Sequence, residues 1–432
     1  MEITCRHPRL WGSIAAIPSK SHVHRLLICA SLADGPSVIR CPLTNNDIDA
    51  TVRCMTALGA QITRAGDCFQ VTPIPFEGGF KAAPDALADC GESGSTMRFL
   101  LPVLCALGCG GSLYGHGRLP ERPLSPLYEE LTGHGAVLSP QGSNPLQVQG
   151  CLMPGDYRID GSVSSLFISG LLFALPLLGA DSTLTITGRL ESAPYITLTL
   201  QALAAFGADI VKESDTFYRI RPSRFRTPGT VTAEGDWSNG AFWLAAGALS
   251  ETGLTVTGLS EDSVQGDRAM VSLLERMGAS VLREPDGLTV RGTSLRGLDI
   301  DGSQIPDLVP VLSVLAAAAE GETVIRNIGR LRLKESDRID SVTDMLTRLG
   351  AKNVTAGPDW LKIGGGGLTG GTVDSWNDHR IVMSAAVAST VCPEPVTICG
   401  AEAADKSYPT FFEDLDRLTR KDFLCTACRG QY

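Results

Sequence analysis

Two kinds of apolar run alternate along the chain. In the first, a few small polar residues precede a stretch that is hydrophobic almost all the way round a helix: Met97 to Leu107, Phe167 to Leu178, Ala241 to Leu249 and Leu308 to Ala319. Helices of that kind have no face to turn to water and must be buried. In the second, apolar positions fall on one face, as in Met270 to Met277 and Ile339 to Leu349, which predicts helices lying outside the same core. The outer runs end in Leu, a short spacer and Gly-Ala, at Gly59, Gly135, Gly207, Gly278 and Gly350. A glycine there suits a helix C-terminus that turns into positive φ. Behind it the pattern alternates, as in Ala208 to Lys212 and Ala279 to Arg283, and predicts strands. Further strands are expected at Thr183 to Thr187, Leu254 to Thr257, Thr323 to Ile325 and Val396 to Cys399.

The glycines recur about every 72 residues, so the chain reads as repeats of one βαβαββ-like unit, and about six of them fill its length. Each unit supplies one inner and one outer helix. The expected fold is α/β: a two-domain inside-out α/β barrel built from six repeats, with buried inner helices and sheets outside. Both termini belong to one globule, residues 1–16 and 229–432; residues 17–228 form the other. The chain is expected to cross near Ile14 to Pro18 and again at the Pro/Arg-rich Arg221 to Pro228. Inner helices that start at a common end would aim several N-termini, with their unpaired N–H groups, into one cleft between the globules.

Composition narrows the chemistry. With 432 residues, 43% of them hydrophobic, the chain has enough apolar surface for large cores. A net charge of −10 and a pI near 5.2 argue against a nucleic-acid or anionic-membrane surface. An anionic substrate must then meet locally concentrated Lys and Arg. The 13 cysteines are odd in number and scattered, behind an N-terminus with no signal-peptide pattern, so reduced thiols in the cytoplasm are expected. Cys425 and Cys428 form a lone CxxC with no second pair, and no metal site is expected. His22 and His24 stand two apart within a helical run and are not read as ligands. The longest apolar stretch, Leu166 to Leu178, is too short to span a membrane and holds Gly170 and Pro176.

The inner runs open with Ser19-Lys20-Ser21, Gly91 to Thr96, Gly161 to Ser165, Gly235 to Asn239, Gly302 to Asp307 and Ser375 to His379. Capping alone explains Ser, Asp, Asn and Gly at such places. It does not explain Lys20, Arg25, Arg98 and Arg380 beside them, because the positive end of a helix disfavours cations. Anion binding does. The outer runs open with Glu121-Arg122-Pro123, Ser192 with Tyr195, Lys334 to Arg338, and Lys406-Ser407-Tyr408-Pro409. The densest of these, Lys334-Glu335-Ser336-Asp337-Arg338, reads as a helix start able to hold an anion and move a proton, with Ser336 and Asp337 as caps. Asp307 and Glu335 are the best acid/base pair, on a phosphorylated or carboxylated small molecule. Gly365, Gly367 and Gly370 match GxGxxG by register but lead into Thr372-Val373 rather than a helix, so they read as a turn. There is no Walker A lysine and no GxSxG serine.

Together these motifs resemble the 5-enolpyruvylshikimate-3-phosphate synthase (3-phosphoshikimate 1-carboxyvinyltransferase) family over essentially the whole chain. The resemblance rests on Pro18-Ser19-Lys20-Ser21 with Arg25, Gly91-Glu92-Ser93-Gly94-Ser95-Thr96-Met97-Arg98, Glu121-Arg122-Pro123 and Gly161 to Ser165. It continues through Leu333 to Arg338, Asn377-Asp378-His379-Arg380, and Lys406 with Pro409. It implies transfer of the enolpyruvyl group of phosphoenolpyruvate to the 5-hydroxyl of shikimate 3-phosphate, by addition and then elimination of phosphate. By the same resemblance Lys20, Ser21, Arg25, Ser164, Ser165, Ser192, Tyr195, Asp307 and Lys334 hold shikimate 3-phosphate. Lys20, Gly94, Arg122, Glu335, Arg338, Arg380 and Lys406 surround phosphoenolpyruvate.

Asp307 is expected to take the hydroxyl proton and Glu335 to protonate the methylene carbon, with Lys20 stabilising charge. No cofactor is implied, a monomer is expected, and Gly94 leaves room for glyphosate. The chain departs from the familiar pattern at Glu92 and Arg330, where Asn is usual, and at Leu166, where Gln is usual; Arg330 is expected to compensate for Leu166. The related transferase acting on UDP-N-acetylglucosamine is disfavoured by Gly117, which stands where that enzyme carries a reactive Cys, and by Ser21. A noncatalytic scaffold on the same repeat is the third reading.

Overall fold

The structure, a computed structural model, describes residues 1–6 and 9–419; Cys425 and Cys428 lie outside them. Twelve α-helices run through the described residues: α1 (Lys20–Ser31), α2 (Asn46–Ala57), α3 (Gly94–Leu107), α4 (Leu127–Gly133), α5 (Ser165–Ala174) and α6 (Ala193–Ala205). They continue as α7 (Trp237–Ala248), α8 (Ala269–Met277), α9 (Val309–Ala318), α10 (Arg338–Arg348), α11 (His379–Ala388) and α12 (Phe411–Thr419). The odd-numbered helices are the inner series. Every residue of α7, α9 (save its last) and α11 is buried. The even-numbered helices are amphipathic, with α10 burying Ile339, Val342, Met345 and Leu346 on one face. All five glycines of the Leu-x-Gly-Ala series have positive φ, and Gly278 is itself the left-handed C-cap of α8. The run after Phe167 stops as an α-helix at Ala174 and tightens into a 3-10 turn, Leu175–Leu177, because Pro176 has no N–H to continue the ladder.

The βαβαββ unit recurs as expected, and each copy makes its own sheet. In one copy Asp156–Asp160 pairs in parallel with Ser182–Thr187, Asp156 opposite Thr183. Ser182–Thr187 then pairs antiparallel with Phe217–Ile220, and that strand with Ile210–Ser214. The parallel pair flanks α5, as a crossover helix requires. Among the described residues there are six such sheets, each open and separate. The expected barrel is therefore a set of neighbouring sheets, with no continuous hydrogen-bonded wall.

The chain divides into two compact units, Met1–Ile17 with Glu234–Tyr432, and Pro18–Ala233. The second crossing falls later than residue 228, for a physical reason. Strand Thr230–Thr232 pairs in parallel with Val38–Arg40 and so belongs to the unit it is about to leave. Ser13–Ala15 likewise pairs with Thr255–Thr257 before the chain crosses to α1. Each crossing thus lends the opening strand of one repeat to the unit behind it. Repeat counting also misses the last sheet, which has three strands: Gly371–Asp374 and Val396–Cys399 are completed by the N-terminal Glu2–Cys5.

In the unit of residues 18–233, α3 packs on α5 and α5 on α6, with Phe99 edge-on to Phe173 at 5.5 Å. In the other unit α7, α9 and α11 pack against one another. There Trp243 stacks on Phe411 at 4.8 Å and donates its indole N–H to Tyr408 Oη, so the one polar atom of that buried ring is satisfied. No helix among the described residues is long and apolar enough to cross a membrane.

Candidate active site

The inner helices carry charge where their apolar patterns break, and each unit gathers its own set. In the unit of residues 18–233, Ser19 caps α1 by accepting from the His22 N–H. That places Lys20 in the first turn, where its ammonium pairs with Asp47 Oδ2 at 3.0 Å. Arg25, one turn on, is 1% exposed. It donates from Nε to Thr199 Oγ1, from Nη1 to the Ser21 carbonyl at 2.6 Å, and from Nη2 to the Tyr195 carbonyl, with the guanidinium 4.9 Å from the Phe99 ring centre. Burial pulls its pKa down to about 10, against the raising influence of Tyr195 and Cys29. Arg25 therefore fixes the backbone at Ser21 and Tyr195 to each other. Ser192 precedes α6 at φ 53, a left-handed conformation that a non-glycine residue adopts only when its surroundings impose it. Ser164 caps α5, accepting from the Leu166 N–H, and Ser165 opens the helix.

Gly94 opens α3 behind the cap Ser93. A Cβ added at Gly94 would stand 2.6 Å from Nη1 of Arg122 and 3.0 Å from its Cζ. The glycine is the space into which that guanidinium fits. Arg98, 3% exposed, donates to the carbonyls of Gly94 and Pro123 and so clamps the two loops that bring Gly94 and Arg122 together. Glu92 lies against Gly117, within 2.9 Å of where a Cβ would be.

In the unit containing α7 to α12, one guanidinium is the hub. Arg338, 1% exposed, donates from Nε to Asp378 at 2.8 Å, from Nη1 to Asp307 at 2.7 Å and from Nη2 to Glu335 at 2.7 Å. Burial alone would lower its pKa, but Asp378, Glu335 and Asp307 raise it well above the usual range. Arg380 adds a second bond to Asp307, Nη2 to Oδ2 at 2.9 Å. Burial pushes the Asp307 carboxyl up; Arg380, Arg338 and Lys334 outweigh it and hold the group well below the ordinary carboxylate range. Burial lowers Lys334 to about 8, with Asp307 opposing and Arg330 and Arg338 adding to the fall. Arg330 donates to the Ser303 carbonyl at 2.6 Å, which sets its charge beside Lys334.

Asp378 caps α11 by accepting from the Arg380 N–H, while Trp376 and Asn377 before it both have φ near 52. That strained pair turns the Asn377 carbonyl onto Lys406 Nζ, 2.6 Å away.

Asp307, Lys334, Glu335, Arg338 and Arg380 are thus brought together in one unit, with Lys406 joined to the turn before α11. Lys20, Ser21, Arg25, Ser192 and Tyr195 gather around α1 and α6 in the other, which also holds the Gly94–Arg122 pair and Ser164–Ser165 at the start of α5. Asp337 is the cap expected of it, accepting from Ile339 and Asp340 N–H groups. Ser336 is not a cap: its hydroxyl is buried between Ser341 and Asp378, because Asp337 already fills the cap position. Asp47 and Asp378 belong to the charged network and were not read as substrate-binding residues, whereas Arg98, read as one of the anion-binding cations, donates to two backbone carbonyls. Asp378 was the more readable of the two carboxylates, standing directly before a buried arginine-bearing helix; Asp47 gave no local signal.

The family model described as EPSP synthase (3-phosphoshikimate 1-carboxyvinyltransferase) matches residues 6–415. A 3-phosphoshikimate 1-carboxyvinyltransferase of Clostridium kluyveri is 40% identical over 411 residues, covering 95% of each chain. One of Clostridioides difficile is 40% identical over 419 residues, again covering 95% of each. Among solved structures, an EPSP synthase of Acinetobacter baumannii superposes with a TM-score of 0.79 at 26% identity, covering 96% of this chain and 97% of its own. The buried arginine hub, the glycine that admits Arg122 and the six-sheet repeat therefore sit in a chain that belongs to the EPSP synthase family.

Proposed function

We propose that this chain transfers the enolpyruvyl group of phosphoenolpyruvate to the 5-hydroxyl of shikimate 3-phosphate, releasing phosphate. The observation that carries this reading is that Asp307 and Glu335 are bound to two nitrogens of one buried guanidinium. A shared anchor holds an acid and a base in fixed positions relative to each other. Lys20, Ser21, Ser164, Ser165, Ser192, Tyr195, Asp307 and Lys334 bind shikimate 3-phosphate, with Arg25 acting through the Ser21 and Tyr195 backbone it holds. Lys20, Gly94, Arg122, Glu335, Arg338, Arg380 and Lys406 surround phosphoenolpyruvate. Two multiply charged anions need this many cations, and arginine offers carboxylate and phosphate its bidentate geometry.

The cations that hold Asp307 ionised also weaken it as a base. Phosphoenolpyruvate brings negative charge to Arg338 and Arg380, which offsets their pull on Asp307 and raises its basicity when both substrates are in place. The same exchange at Arg338 releases Glu335, which takes up a proton from solvent and delivers it to the methylene carbon of phosphoenolpyruvate. Asp307 takes the proton of the 5-hydroxyl as its oxygen attacks; loss of phosphate from the tetrahedral adduct, with one methyl proton passing back to the Glu335 carboxylate, restores the double bond. Lys20 stabilises charge that develops between the two substrates. The net charge of −10 supports the absence of a nucleic-acid or membrane partner, and we assign a cytoplasmic monomer. Acceptor-dependent phosphate release tests the reading: release with shikimate 3-phosphate supports it, and release only with UDP-N-acetylglucosamine overturns it.

Two consequences follow for kinetics. Because Lys334 titrates at about 8 and only its charged form attracts an anion, kcat/KM for shikimate 3-phosphate falls as pH rises through that value. A pH profile of Lys334→Arg, whose guanidinium stays charged, lacks that inflection; an unchanged profile removes Lys334 from the site. In Gly94→Ala the new methyl displaces the Arg122 guanidinium, a flexible group that can move without unfolding the chain. KM for phosphoenolpyruvate is expected to rise about tenfold, with weaker inhibition by glyphosate. Steady-state kinetics with each substrate varied in turn decide this, and a change confined to shikimate 3-phosphate contradicts it.

A further inference from the structure

His24 lies on α1 one turn beyond Lys20 and is fully buried, yet no step of the transfer uses it. Its Nδ1 is 2.7 Å from Thr51 Oγ1 on α2. Thr51 Oγ1 is 2.7 Å from Thr96 Oγ1 on α3, and Thr96 Oγ1 donates to Ser93 Oγ at 2.8 Å. All four side chains are buried. The chain of bonds ends on the residue that caps α3 and precedes Gly94, the glycine that admits the Arg122 guanidinium. A second tie runs from the same threonine: Thr96 Oγ1 also lies 3.5 Å from the carbonyl of Asp47, whose carboxylate pairs with Lys20.

With Thr96 giving its proton to Ser93, the Thr96 oxygen can accept from Thr51 and Thr51 from the Nδ1–H tautomer of His24. His24 Nε2 is then a bare acceptor, and no hydrogen-bond partner for it lies among the described residues. Burial, with Lys20 and Arg25 nearby, holds the ring well below the usual imidazole range, so it is neutral and carries one donor and one acceptor. A buried imidazole with one nitrogen unpaired costs stability, which an apolar side chain at the same place would not.

We propose that His24, Thr51 and Thr96 are positioning residues for the phosphoenolpyruvate half of the reaction, a hydroxyl relay that sets the Ser93–Gly94 helix start, and through it Arg122, in register with Lys20. This rests on the assignment of Gly94 and Arg122 to phosphoenolpyruvate. Thr51→Val keeps the shape and removes the relay's central hydroxyl; Thr51→Ser restores it. In Thr51→Val, KM for phosphoenolpyruvate is expected to rise about tenfold with KM for shikimate 3-phosphate unchanged, and Thr51→Ser recovers the wild-type value. A purely structural threonine would instead lower the melting temperature while moving neither KM or both alike, and either outcome overturns the proposal. Should Thr51→Val not fold, Thr96→Ala interrupts the same relay and is read by the same split. If the unmodified protein releases no phosphate with shikimate 3-phosphate, the reaction assignment fails; if it does and the variants leave the two KM values in their wild-type ratio, the relay alone fails.

Discussion

Glu335→Gln is expected to lower kcat by about 10²- to 10⁴-fold, the range that a positioned general acid contributes. Gln keeps the volume and an oxygen able to accept from Arg338 Nη2, the bond Glu335 makes at 2.7 Å, so the hub stays assembled. What it cannot do is deliver a proton to carbon. The loss therefore falls on kcat, with KM for both substrates within a few-fold of wild type. Asp307→Asn is expected to lose comparably in kcat, but with a further rise in KM, because it also removes the charge that Arg380 and Arg338 share. Steady-state kinetics with purified variants separate the two. A Glu335→Gln enzyme that keeps kcat would remove Glu335 from the proton path.

Arg338→Ala is expected to destabilise its unit by about 3–5 kcal/mol, the cost of breaking a buried ion pair from one side. Asp378 is wholly buried, and Asp307 and Glu335 are 18% and 20% exposed; without the guanidinium their charges face one another. Arg338→Lys retains the charge and loses most of the penalty's electrostatic part, but one ammonium cannot reach three carboxylates with the geometry of a planar fork. The pH dependence has a definite sign. Asp307 is held below the ordinary carboxylate value, so the stability it contributes is present above about pH 4 and is lost as pH falls through its lowered value. Arg338→Ala shrinks that acid-side loss. Thermal unfolding at several pH values measures both effects, and a variant as stable as wild type at neutral pH contradicts the account of the hub.

Much of this could be read in advance, and the residues show why. The repeat was legible because its signals are local. Gly59, Gly135, Gly207, Gly278 and Gly350 each meet a backbone demand at their own position, and the inner helices declare their burial through composition alone. The lent strands Ser13–Ala15 and Thr230–Thr232 were not legible, because a short strand carries no mark of which sheet it will join. Lys20, Arg25, Arg98 and Arg380 stood out as cations where helix dipoles do not favour them, and the roles expected of the other candidate residues came from the family resemblance. Their partners were harder to find. Asp47 and Asp378 look like ordinary helix-start carboxylates, and only the fold brings them to Lys20 and Arg338. Thr51 and Thr96 are more obscure still: nothing in a sequence distinguishes a threonine that relays a hydrogen bond between helices from one that packs.

The central chemical claim is that Glu335 protonates the methylene carbon of phosphoenolpyruvate before phosphate leaves. Turnover in deuterium oxide tests it directly. Protonation there makes a methyl group that holds one solvent-derived deuterium; the methyl rotates, elimination removes one of its three hydrogens, and deuterium stays in the vinyl methylene of a share of the product. The account predicts labelled 5-enolpyruvylshikimate 3-phosphate from the unmodified enzyme by mass spectrometry, formed at a rate that collapses in Glu335→Gln. Unlabelled product formed at full rate would mean that phosphate is displaced without protonation of that carbon, and would contradict the role of Glu335 as its proton donor.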